Sequence, residues 1–150
     1  MNTNFVLLSS PDEDDMLFGE TDEQILTAAR NYLTLLDKAA ELAEEAPDDL
    51  LAGSAGTVYQ KKLGLRALTA EDSTAILTAI GTDEDRRMLD EFRQAQETMG
   101  ERLQNTKRIG LVLKQAKVPY DQMYKRKDRP DLWKPDQMIA IVEVLRQLQL

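Results

Sequence analysis

The sequence predicts an all-α fold: an N-terminal helical hairpin or bundle whose long helix leads into a small C-terminal helix-turn-helix-like module. Apolar residues recur at steps of three and four over long stretches, which is the period of a helix with one buried face. No strand-like alternation of any length interrupts them. The composition, 42% hydrophobic and 31% charged with only 7 Gly and 5 Pro in 150 residues, is that of a helical chain able to bury a core.

Residues 1–20 read as an acidic flexible tail, because Pro11-Asp12-Glu13-Asp14-Asp15 is charged and aperiodic. Thr21 is the predicted N-cap of the first helix, with Gln24 completing a capping box. Ile25, Ala29, Tyr32, Leu36, Ala39 and Ala43 form its apolar stripe, and Pro47 ends it near Ala46. Asp48 to Gly56 reads as a loop, followed by a short helix over Val58 to Leu68. Thr69 with Asp72, and Thr82 with Asp85, repeat the start signal of a Thr followed by an acid three residues on. Gly81 between them is the expected left-handed C′ residue.

From Asp83 one long helix is predicted to about Ala116. Its seam of Leu89, Phe92, Gln96, Met99, Leu103, Thr106, Gly110 and Leu113 is coiled-coil-like but interrupted. Gly100 and Gly110 each cost about 1 kcal/mol in a helix interior and mark where it would bend or break. The seam serves either as ordinary core or as an interface with a second copy or another protein, with Leu89, Phe92, Met99 and Leu103 as the contact residues. Residues 21–106 are accordingly the expected dimerisation or partner-binding bundle, and residues 107–150 the C-terminal module.

In that module Pro119 suits a first helical position, and Met123 and Tyr124 are expected to face inward with Lys125 and Arg126 outward. Pro130 opens a short turn carrying Trp133, expected as a core plug whose indole N–H finds a partner. Tyr120 and Tyr124 are read as packing residues before they are read as a platform flanking a single strand. Pro135 begins a last helix that buries Met138, Ile139, Ile141, Val142, Leu145 and Leu148.

The charge divides in two. Residues 1–100 carry 8 basic and 21 acidic side chains, a net of −13, while residues 101–150 carry 11 basic and 6 acidic, a net of +5. The total of −8 disfavours nucleic acid, because phosphates repel an anion, but the total conceals a basic segment from Lys107 to Lys134. Such asymmetry points to a nucleic-acid or acidic-partner surface on one module; the plain alternative is a solvated basic face.

The segment from Lys107 to Leu150 resembles the lambda-repressor-like (Cro-type) helix-turn-helix in abbreviated form. Ile109 to Ala116 matches its first helix, Val118 to Arg126 its second, Arg129-Pro130-Asp131-Leu132-Trp133 its turn and Gln137 to Leu145 its closing helix. Asp128 stands where the family's turn carries Gly. The resemblance implies binding of double-stranded DNA, usually as a dimer, through the residues between the second helix and the Trp; among the basic residues of this segment, Lys125, Arg126, Lys127, Arg129 and Lys134 are the ones expected to grip phosphates.

Function classes are narrowed by absence. With no Cys and no His, thiol nucleophiles, imidazole bases and the usual transition-metal ligands are excluded. No spacing isolates a carboxylate acid/base pair, and Gly53-Ser54-Ala55-Gly56 is not a phosphate-binding loop. The expectation is a non-enzymatic, cytoplasmic regulator of bacterial or phage type with no metal, cofactor or membrane span. The alternative is a helical protein–protein adaptor or export-type chaperone that binds no nucleic acid.

Overall fold

The computed structural model describes residues 11–150, with side chains from Gly19 onward. The fold is all-α. Seven α-helices run α1 (Pro11–Leu42), α2 (Ala55–Lys62), α3 (Ala70–Ile80), α4 (Asp83–Gln104), α5 (Ile109–Ala116), α6 (Tyr120–Asp128) and α7 (Pro135–Gln147). Single 3-10 turns lie at Ala43–Glu45, Asp48–Leu50 and Pro130–Leu132, and no strand occurs among the described residues. None of these helices is long and apolar enough to cross a membrane.

The first ten residues of the predicted tail, including Phe5 to Leu8, lie outside the described residues. The remainder is helical, so Thr21 does not open α1; the helix already begins at Pro11. The end agrees with expectation: Ala46 is extended, one residue before Pro47.

The chain divides into two compact units, one of residues up to Thr27 with Ala95–Leu150, the other of Ala28–Gln94. Helices α1 and α4 contribute residues to both.

In the Ala28–Gln94 unit, Ala43, Ala46, Leu51, Val58 and Ile76 form a buried cluster against which Leu42, Leu50 and Leu68 pack. The Tyr32 and Phe92 rings stack with centroids 3.8 Å apart. Both Thr–Asp capping boxes are complete: the Thr69 hydroxyl accepts from Asp72 N–H while Asp72 accepts from Thr69 N–H, and Thr82 and Asp85 do the same. Asp72 also takes a buried ion pair from Lys61 at 2.7 Å and the Ala52 N–H at 3.0 Å. Burial pushes its carboxyl up, but these donors outweigh it and hold the group at about 2. The predicted helix over Val58 to Leu68 is shifted: Ser54 caps α2, accepting from Thr57 N–H, and Gly64 at φ +79° follows its end. Gly81 is extended (φ −76°, ψ 177°) and not left-handed. Its glycine is required by proximity, since a Cβ there would collide with the Leu77 carbonyl oxygen.

In the other unit, Ile25, Leu26, Met99, Leu103, Val112, Leu113, Met138, Ile141, Val142 and Leu145 are buried, and α5 packs on α7. Arg102 in α4 forms a buried ion pair with Asp22 in α1 and donates to the Leu150 carbonyl.

The predicted helix from Asp83 to Ala116 is two helices. The break falls at neither Gly100 nor Gly110 but over residues 105–108, where side chains capture the last carbonyls of α4. Asn105 Nδ2 donates to Glu101 O at 3.2 Å, the Thr106 hydroxyl donates to Arg102 O at 2.7 Å, and Arg108 then turns left-handed at φ +61°.

The predicted interface residues are core. Leu89 and Phe92 are buried within the Ala28–Gln94 unit, and Met99 and Leu103 within the other, so none is presented to a second chain. Gln96 is no defect in the seam: it is buried, and its Nε2 donates to the carbonyls of Trp133 (2.8 Å) and Asp131 (3.3 Å).

Candidate nucleic-acid interface

The C-terminal module is built on two short helices. The α5 helix ends with Lys117 at φ +61°; its N–H reaches Leu113 O and Lys114 O, and the Val118 N–H returns to Leu113 O at 2.9 Å. This closure of the orphan carbonyls turns the chain within three residues, Lys117-Val118-Pro119, into α6. The left-handed position between α5 and α6 is therefore Lys117. Asp128, expected at the family's turn glycine, is the last residue of α6 and has no positive φ.

The five expected phosphate-binding residues separate into three kinds. Lys125, Lys127 and Lys134 are exposed, and no ion pair joins them to a carboxylate among the described residues. Arg129 is exposed but grips Asp131 with two hydrogen bonds, Nε to Oδ1 at 3.0 Å and Nη2 to Oδ2 at 2.7 Å. That pairing raises the guanidinium pKa and lowers the carboxyl's, so its charge is neutralised locally.

Arg126 does not face solvent. It is 8% exposed, donates to Leu132 O (3.1 Å) and Gln122 O (3.2 Å), and lies 5.6 Å over the Trp133 ring. Burial lowers its pKa. The Leu132 carbonyl at the end of the Pro130–Leu132 turn takes its donor from α6, where the Arg126 guanidinium reaches it while covering an indole face.

Tyr124 is likewise reversed: it is 58% exposed, and Tyr120 is 47% exposed. Their rings meet edge to face with centroids 5.3 Å apart, and the neighbouring Tyr124 side chain raises the Tyr120 pKa. Trp133 is a core plug as expected, 2% exposed, but its indole N–H has no hydrogen-bond partner among the described residues.

These side chains line a cleft of about 210 Å³. One wall is a single face of α6, where Tyr120, Met123, Tyr124 and Lys127 follow the three-and-four spacing. The opposite wall comes from Leu103 and Gln104 of α4, Thr106 of the connection and Ile109 of α5, with Trp133 also lining the cleft. No Asp or Glu contributes to it, although the chain has 27. Lys107 and Arg108, between Thr106 and Ile109 in the chain, are exposed. Lys125, two residues from Lys127, projects from the opposite side of α6.

Of the five expected residues, then, only Lys127 enters the cleft. Sequence reasoning missed the two tyrosines as surface groups. The usable signal was the spacing Tyr120, Tyr124, Lys127, which places two rings and a cation on one helical face.

No protein-family model, no curated protein and no solved structure matches this chain.

Proposed function

We propose that this chain is a non-enzymatic regulatory protein that binds duplex DNA through its C-terminal module. The observation that carries the reading is the set of exposed cations at Lys125, Lys127 and Lys134, unpaired with any described carboxylate in a chain of net charge −8. Exposed cations that no carboxylate neutralises are available to phosphates. The pair of short helices joined by three residues supports the reading, since that is the local architecture of a helix-turn-helix, and Lys114 and Lys117 are exposed as well. Phosphate neutralisation then dominates binding, and base readout is secondary.

The test is binding to random-sequence duplex DNA across a salt series. The wild-type protein binds at low salt, with log K falling by about 0.9 per phosphate contact for each unit of log salt. Lys125→Glu, Lys127→Glu and Lys134→Glu combined abolish that binding and leave helicity intact. No binding by the wild-type protein, or equal binding by both forms, rejects the reading.

A second reading, a helical adaptor for another protein, is favoured by one feature of the Ala28–Gln94 unit. Tyr59, Leu63 and Leu65 are 65%, 52% and 75% exposed, a concentration of apolar surface at the end of α2. A stable heterocomplex on native purification, dissolved by Leu63→Lys with Leu65→Lys, supports that alternative.

A further inference from the structure

We propose that the cleft lined by Tyr120, Tyr124, Lys127 and Trp133 binds an unpaired nucleotide, with the base against the tyrosine rings and the phosphate at Lys127. The proposal deepens the nucleic-acid reading, on which it rests, by naming the form of nucleic acid that this part of the module takes.

Four observations converge. The tyrosines are large aromatic groups left about half exposed, where a folded chain gains by burying such rings. They stand four residues apart on one helical face with Lys127, so rings and ammonium address the same space. The cleft has no carboxylate in its lining, and Lys107 and Arg108 are exposed in the connection that supplies Thr106. At about 210 Å³ it lies below the roughly 300–1,000 Å³ typical of drug-sized ligands, which suits one flat ring system. Stacking on aromatic side chains together with a cation for the backbone is how proteins hold unpaired bases without reading sequence. The exposed side-chain amide of Gln104, which also lines the cleft, can donate to and accept from a base edge. A duplex cannot use this site, because its bases are paired and stacked.

The ligand chemistry has two sources, a single strand or a free nucleotide. The full-length protein is titrated into a short fluorescein-labelled oligo(dT) and, separately, into a labelled random duplex, with anisotropy as the readout. Quenching of Trp133, the chain's only Trp, is followed with unlabelled oligo(dT). The wild-type protein is expected to bind oligo(dT) with quenching. Tyr124→Ala weakens that binding by about fivefold or more, Tyr124→Phe restores it, and neither changes duplex binding. Tyr124 is more than half exposed, so its truncation leaves the fold intact, which far-UV circular dichroism verifies. Thymidine monophosphate that displaces all bound oligo(dT) identifies a free nucleotide as the ligand; displacement only of the fraction bound at the cleft identifies a strand.

Equal binding of oligo(dT) by wild type and Tyr124→Ala, or absence of quenching, overturns the cleft proposal. Duplex binding without oligo(dT) binding overturns it alone and leaves the duplex reading standing. Tyr124-dependent oligo(dT) binding without duplex binding supports the cleft and rejects the duplex reading.

Discussion

Arg102 and Asp22, eighty positions apart in the chain, meet in a buried ion pair with Nε 2.9 Å from Oδ1 and both side chains 7% exposed. Removing one partner strands the other charge away from water. Asp22→Ala is therefore expected to cost about 3–5 kcal/mol in urea denaturation, whereas Asp22→Leu with Arg102→Met recovers most of the loss. Unchanged stability in Asp22→Ala contradicts this account of the pair.

The Asp72 carboxyl gives a pH dependence with a definite sign. Its folded-state pKa of about 2 lies below the 3.8 of an unperturbed carboxyl, so ionised Asp72 favours the folded chain. That contribution, about 2 kcal/mol, is fully present above pH ~4 and is lost as the pH falls through ~2. Denaturation of wild type and Asp72→Asn in parallel isolates it: the wild-type advantage should shrink with acidification over that window. An advantage independent of pH refutes the assignment.

Adjacent cations in α6 should behave differently. Arg126→Ala removes two hydrogen bonds to carbonyls and the cover of the Trp133 ring, and is expected to cost about 2–3 kcal/mol. Lys125→Ala touches nothing buried and should stay within about 0.5 kcal/mol of wild type. Thermal unfolding of the two variants side by side decides whether Arg126 belongs to the core.

Two glycines predict opposite responses to one methyl group. Gly81→Ala drives a Cβ into the Leu77 carbonyl oxygen and should destabilise by about 1–3 kcal/mol. At Gly110, exposed near the start of α5, an added Cβ meets nothing within 4 Å, and Gly110→Ala should raise stability by about 0.5–1 kcal/mol. Melting temperatures moving in the same direction would falsify the contrast.

What could be read in advance was what sequence neighbours decide. The Thr69–Asp72 and Thr82–Asp85 caps are complete within four residues, and both are present. The all-α class followed from periodicity, and the Trp133 plug from residue type. The break at residues 105–108 was not legible, because Asn105 and Thr106 act by capturing carbonyls one turn back, which periodicity does not register. The orientation of α6 was wrong by about one residue's rotation. Hydropathy placed Tyr124 inside and Arg126 outside, but Leu132 O and the Trp133 face needed a cationic donor. Lys61 beside Asp72 was invisible for the same reason: a buried charge is explained only by the partner it meets in space.

Helix α5 begins after Arg108 and ends at Lys117, both held at φ +61°. That backbone region costs an ordinary residue about 1 kcal/mol or more, and glycine almost nothing. A chain optimised only to fold would place glycine at both positions. This one holds cations there, so the module is less stable than its backbone permits, and what it retains in exchange is positive potential. Arg108→Gly with Lys117→Gly should accordingly give a protein that melts higher and, on the proposed function, binds duplex DNA less well.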